Sequence, residues 1–149
     1  MNNKILFDSG FWFALYTKND KGHKKAIELF NKYENAIFLI PTPSLYEFLN
    51  SKFMSNNLKK IHKLFTKKKS LNEISFLTDR KHIKNLDLKL FNYNIIQKRN
   101  ISAVDSIIRD IIKERNGFTF VTNNVKDFND ICYKKTIHVE IIPNQKETK

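Results

Sequence analysis

Asp8 interrupts the apolar stretch "ILFDSGFWFALY" (5–16). An unpaired carboxylate buried there would cost several kcal/mol, so such a group is paired, metal-bound or functional. Other acids stand in similar surroundings: Glu47 in "PSLYEFLN", Asp105 in "SAVDSIIRD" and Asp127 after "VTNN". Asp8 directly follows the first expected strand, Glu47 and Asp105 lie early in helices, and Asp127 lies just beyond a later strand. All four segments would thus aim toward the one edge of a parallel sheet where open α/β folds bind ligands. Three carboxylates brought together repel, at about 4 kcal/mol per pair for a separation of about 4 Å and an effective dielectric near 20. A divalent cation would relieve that repulsion. An all-oxygen set selects the hard ions Mg²⁺ or Mn²⁺, which can activate water and neutralise the leaving oxygen of a phosphodiester. A structural role competes at each acid. Ser44-x-x-Glu47 and Ser102-x-x-Asp105 both fit capping boxes, and Asp127 fits a turn.

Other chemistries lack their parts. The three glycines, Gly10, Gly22 and Gly117, are too scattered for a dinucleotide or P-loop fingerprint, and no G-x-S-x-G elbow occurs. One cysteine, Cys132, and four dispersed histidines argue against structural zinc and suit a reducing cytosol. No apolar run is long enough for a membrane span and no signal-peptide cleavage pattern follows the first apolar stretch, so the expected location is cytoplasmic, with no membrane partner.

Twenty-seven basic against 15 acidic residues give a net charge of +12, an electrostatic footprint for nucleic acid. The lysines bunch in "LKKIHKLFTKKK" (58–69), where Leu58, Ile61, Leu64 and Phe65 keep a helical apolar face. Lys67, Lys68 and Lys69 are the candidate phosphate contacts on its basic side.

The elements that must position the acids read as follows. Strands are expected at 4–7, 36–40, 73–77, 117–121 and 137–142, with helices at 19–33, from Thr42, at 58–69, 79–98 and 102–115. Thr42 is the expected N-cap of its helix with Pro43 at the first helical position, and Gly117 is expected to close a helix. Apolar strands alternating with amphipathic helices imply a single α/β domain over 1–142 around a mainly parallel sheet, followed by a polar tail, 143–149.

In order, "ILFDSGFWFAL", "DKGHKKAIELF", "IPTPSLYEFLN" and "ISAVDSIIRDIIKERNGFTFVTNNVKDF" resemble the motifs of the PIN-domain family, most closely its small ribonucleases typified by VapC toxins. The resemblance covers about residues 4–142. It implies a three-layer α/β/α fold, dependence on Mg²⁺ or Mn²⁺ and endonucleolytic cleavage of RNA. By motif, Asp8, Glu47 and Asp105 match the family's three catalytic, metal-binding acids. Asn124 stands where the family often has Asp or Asn and is a weaker ligand, with Asp127 nearby as a further one. Ser9 and Thr122 match small hydroxyl residues that support the site. His23 matches a recurrent position and is read as structural. The resemblance also implies an antitoxin protein as partner, with homodimerisation common in the family. Two alternatives stay open: a non-catalytic RNA-binding module whose metal site has decayed, and a nuclease directed at DNA.

Overall fold

The computed structural model describes residues 3–84 and 101–144. Short strands form where Ile, Leu, Val and Phe cluster: β1 (Lys4–Phe7), β2 (Ile37–Pro41), β3 (Ile74–Leu77), β4 (Thr119–Thr122) and β5 (Val139–Ile141). They make one all-parallel sheet in the order β3-β2-β1-β4-β5, with Leu6 level with both Leu39 and Phe120. The helices are α1 (Ser9–Tyr16), α2 (His23–Lys32), α3 (Thr42–Leu49), α4 (Lys52–Ser70), α5 (Ala103–Lys113) and α6 (Asn129–Lys134), with a 3₁₀ turn at Val125–Asp127.

Side-chain alternation along the strands sends residues to two cores, one on each face of the sheet. Ile5, Phe7, Phe38, Ile40 and Val121 pack with Phe11 and Trp12 of α1, Ala26 and Leu29 of α2, Phe48 of α3 and Ile61 of α4. Leu6, Leu39, Leu77 and Phe120 pack with Ile107, Ile108, Ile111 and Ile112 of α5 and Ile131 of α6. Helices on both faces of a parallel sheet make the three layers that the resemblance implies.

Several boundaries differ from expectation. Helix α3 begins at Thr42, with Pro41 as its cap; the Thr42 hydroxyl instead accepts from the backbone N–H of Asp79. Helix α4 starts at Lys52, well before the basic run, while α2 starts only at His23 because residues 17–22 turn. The helix expected at 79–98 does not begin at Asp79: residues 80–84 form turns, with the N–H groups of His82 and Ile83 both on the Asp79 carbonyl. Residues 85–98 of that expectation lie outside the described residues, as does the tail beyond 144. Gly117 does not cap α5, which ends at Lys113; its φ of +72° serves the turn into β4. None of the described helices is long and apolar enough to cross a membrane.

Candidate functional site

The chain runs β1 to β3 in one direction across the sheet, then jumps back over β1 to place β4 and β5 on its other side. Strands β1 and β4 therefore flank the point where the winding reverses, and their carboxyl ends open a crevice there. Asp8 follows β1 at that point. Its carboxylate is buried, 4% exposed. Oδ1 accepts from the N–H of Ser9, capping α1, and Oδ2 accepts from the Thr122 hydroxyl at the end of β4, 3.0 Å away. Thr122, wholly buried, also accepts from the N–H of Asn124 and so ties the turn after β4 to Asp8.

Glu47 reaches the same place from α3. The Ser9 hydroxyl donates to its Oε2 at 2.5 Å. The capping-box role for Glu47 fails, because α3 begins two residues before Ser44 and the buried Ser44 hydroxyl has no hydrogen-bond partner among the described residues. At Asp105 half of the box forms: the Ser102 hydroxyl accepts from the Asp105 N–H. The Asp105 carboxylate instead accepts from Asn124 Nδ2 at 3.2 Å, and that nitrogen also donates to Asp127 Oδ2 at 2.8 Å. The amide presents its nitrogen to both acids. Asn124 therefore turns a donor toward the acids, where a fourth oxygen ligand was expected. Exposure grades across the site, from Asp8 on the floor through half-buried Asp105, Asn124 and Asp127 to exposed Glu47 at the rim.

The electrostatics agree with a crowded anionic crevice. Burial pushes the Asp8 carboxyl up to about 6, with Glu47 adding repulsion against the hydrogen bonds that lower it. Burial also raises Asp105, and the charges of Asp8, Asp127 and Glu47 raise it further. Asp8, Asp127 and Glu47 lie near enough for their charges to act on Asp105.

Sequence reasoning passed over Arg109, four residues after Asp105. Its guanidinium grips Asp130 with both arms, at 2.7 and 2.8 Å, and donates to the Asp127 backbone carbonyl. It thus fixes the turn that carries Asp127. The available signal was a lone arginine inside the apolar "IIRDII". Gly10 was also missed: a Cβ there would come within 2.4 Å of the Asn123 side chain, which would have to shift to admit it. His23 is structural as read, its Nδ1 2.8 Å from the Ala14 carbonyl.

Lys67, Lys68 and Lys69 do not form one patch. Lys68 is a correction: it is buried, its ammonium donates to the carbonyls of Glu34 and Ala36 and to Glu73, and it stands over the Phe38 ring. It pins α4 to the start of β2 and is not available to phosphate. Lys67 and Lys69 are exposed but diverge, since residues two apart on a helix do not share a face. Lys69 borders an apolar groove of about 310 Å³ between α3, α4 and β3, lined by Leu45, Leu49, Leu58, Phe65 and Phe76.

The oxygens of Asp8, Glu47, Asp105 and Asp127 are the donors that could hold a metal, and they suit Mg²⁺ or Mn²⁺ in kind. Among the described residues no three His, Cys, Asp or Glu side chains form a ready cage. Mg²⁺ does not require one, because it keeps several waters and takes one or two carboxylates. Burial does most to raise Asp8 and Asp105 and repulsion between the acids adds to it; a cation would offset both.

No family model and no curated protein matches the sequence. Among solved structures, the chain is similar to VapBC2 from Rickettsia felis, crystallised bound to a DNA fragment from its promoter. The match is 19% identical, covers 93% of this chain and 98% of that one, and has a TM-score of 0.57. At that identity the likeness is one of fold.

Proposed function

We propose that this protein is a metal-dependent endoribonuclease, the toxin of a two-component toxin–antitoxin pair. The observation that carries the proposal is the convergence of Asp8, Glu47 and Asp105, from three separate segments, at the reversal point of a parallel sheet. A bound Mg²⁺ or Mn²⁺ would supply an activated water and charge neutralisation at the scissile phosphate. Thr122 and the Ser9 N–H orient Asp8, the Ser9 hydroxyl orients Glu47, and Asn124 holds Asp105 against Asp127. The fold shared with VapBC2 supports a partner protein, and the apolar groove beside α3 offers it a surface.

The test is cleavage of a permissive RNA in Mn²⁺. Asp8→Asn, Glu47→Gln and Asp105→Asn should each fall to background while staying folded, and double variants should lose no more than single ones, because the acids act as a unit. Wild-type rates in Asp8→Asn would overturn the assignment. One observation favours a second reading, a non-catalytic RNA-binding module: the Asn124 amide offers a donor to the acids in place of a ligand oxygen. That reading requires RNA binding without cleavage in any divalent ion.

A further inference from the structure

Helix α4 carries seven lysines and one histidine in 19 residues, with no acid. Elsewhere Lys25, Lys32, Lys81 and Lys113 each stand near a carboxylate, and Lys135 donates to three carbonyls at the end of α5. On α4 only the buried Lys68 is matched. Exposed Lys52, Lys59, Lys60, Lys63 and Lys67 have no ion pair with any described residue. Helix α4 thus contributes +7 to the chain's net charge of +12, with Lys68 its only lysine paired to an acid among the described residues.

Helical phase gives it a shape. At 3.6 residues per turn, Lys52, Lys59, Lys63, Lys67 and Lys60 fall within about 100° of one another, opposite Ile61 and the inward-turned Lys68. They form a straight stripe about 22 Å long, with steps of about 6 Å from Lys59 to Lys63 to Lys67. The helix also has a direction. Lys68 reaches the carbonyls of Glu34 and Ala36, at the edge where β2 begins, and α4 feeds a strand parallel to β2. The Lys52 end therefore points toward the opposite edge, where the acids lie, five residues after Glu47 at the rim of the crevice.

A lipid surface is a poor match for this stripe. Membrane-lying helices put their apolar face into the acyl boundary, and the Ile61 and Phe65 side of α4 is packed on the protein core. A row of lysine point charges without counter-ions suits a phosphate backbone. We propose that the stripe Lys52–Lys59–Lys63–Lys67, with Lys60 beside it, is the track along which the backbone of a single-stranded RNA leaves the acid crevice. The inference rests on the ribonuclease reading for the identity of the nucleic acid.

The experiment measures anisotropy of a labelled single-stranded RNA, in chelator, from 50 to 300 mM salt. The full chain is compared with its Lys52→Gln/Lys59→Gln/Lys63→Gln/Lys67→Gln variant. For a single strand the slope of log affinity on log salt should shrink by about 0.7 per lost contact, roughly 3 in all. A Lys18→Gln/Lys24→Gln/Lys134→Gln variant, altered at exposed lysines away from α4, should keep the wild-type slope. A Lys59→Gln/Lys63→Gln variant, expected to lose about half as much slope, serves if the quadruple one does not fold. An unchanged slope in both stripe variants overturns the proposal, and so does an equal loss in the control variant. Loss of binding to phosphatidylserine vesicles with RNA affinity intact also overturns it, in favour of a membrane. Because chelator stops cleavage, these outcomes are independent of the Asp8 activity test. The stripe can fail while the nuclease stands, and the reverse.

Discussion

Asn124 and Asp127 stand 2.8 Å apart, Nδ2 to Oδ2, and the same nitrogen reaches Asp105 at 3.2 Å. An amide hydrogen-bonded to two acids holds them together without adding charge. Asn124→Asp keeps the size but exchanges this donor for a third negative group. Without divalent ions the variant should be less stable by about 1 to 3 kcal/mol at neutral pH. Mg²⁺ should restore it more than it stabilises the wild type. Urea unfolding with and without Mg²⁺ measures both; equal stability of the two proteins in chelator would contradict the bridging role.

The raised acids fix the sign of one pH dependence. Asp8 binds its proton in the native state up to about pH 6, against 3.8 for an unperturbed aspartate. Between these values the native chain holds a proton that the unfolded chain has released, so this contribution to stability falls as pH rises and is lost above about 6. A shift of two units corresponds to about 3 kcal/mol. Asp8→Asn should therefore gain on wild type from pH 4 to 7 in chelator, by up to that amount. A difference between the two that is flat with pH would refute the burial account of Asp8.

Ser9→Ala removes the hydroxyl that holds Glu47 but leaves the backbone N–H that caps onto Asp8. Cleavage of RNA should drop about tenfold, equivalent to about 1.4 kcal/mol of barrier, with little change in melting temperature. A loss of folding instead of activity would show that the contact is structural.

Lys68→Met keeps bulk and removes the ammonium. The carbonyls of Glu34 and Ala36 lose a donor and Glu73 loses its cation. Stability should fall by about 3 kcal/mol, as when one partner of a buried pair is deleted. The salt slope of RNA binding should stay at the wild-type value. Lys67→Gln should behave in the opposite way on both measurements.

The inner strands β1, β2 and β4 are legible because parallel strands buried on two faces are short runs of Ile, Leu, Val and Phe, although the equally apolar "FWFALY" folds as helix α1. Asp8 is legible because it breaks apolar surroundings just after a strand, and Glu47 and Asp105 because each is an acid among apolar neighbours within a helix. Lys67, Lys68 and Lys69 cannot be told apart by type. Their separation depends on helical phase and on two carbonyls more than 30 residues away. The use of Asn124 as donor is hidden for a similar reason: an amide has both an oxygen and a nitrogen to offer, and only the neighbouring acids decide which faces them. Residues 80–84 carry helix-compatible side chains, yet the Asp79 N–H is held by Thr42 and the chain turns.

The pairing of β1 with β4 has a consequence for synthesis. Asp8 leaves the ribosome early, yet its partner Thr122 lies 114 residues later, and Asp105 and Asn124 are similarly late. Until β4 arrives, β1 has a neighbour on one side only, and the floor of the crevice lacks one wall. Domains fold largely as units once their distant pairings can close. A nascent or truncated chain ending before β4 thus carries the acids without the site. Whatever activity the crevice has is withheld during translation and arises only when nearly all of the described chain has emerged.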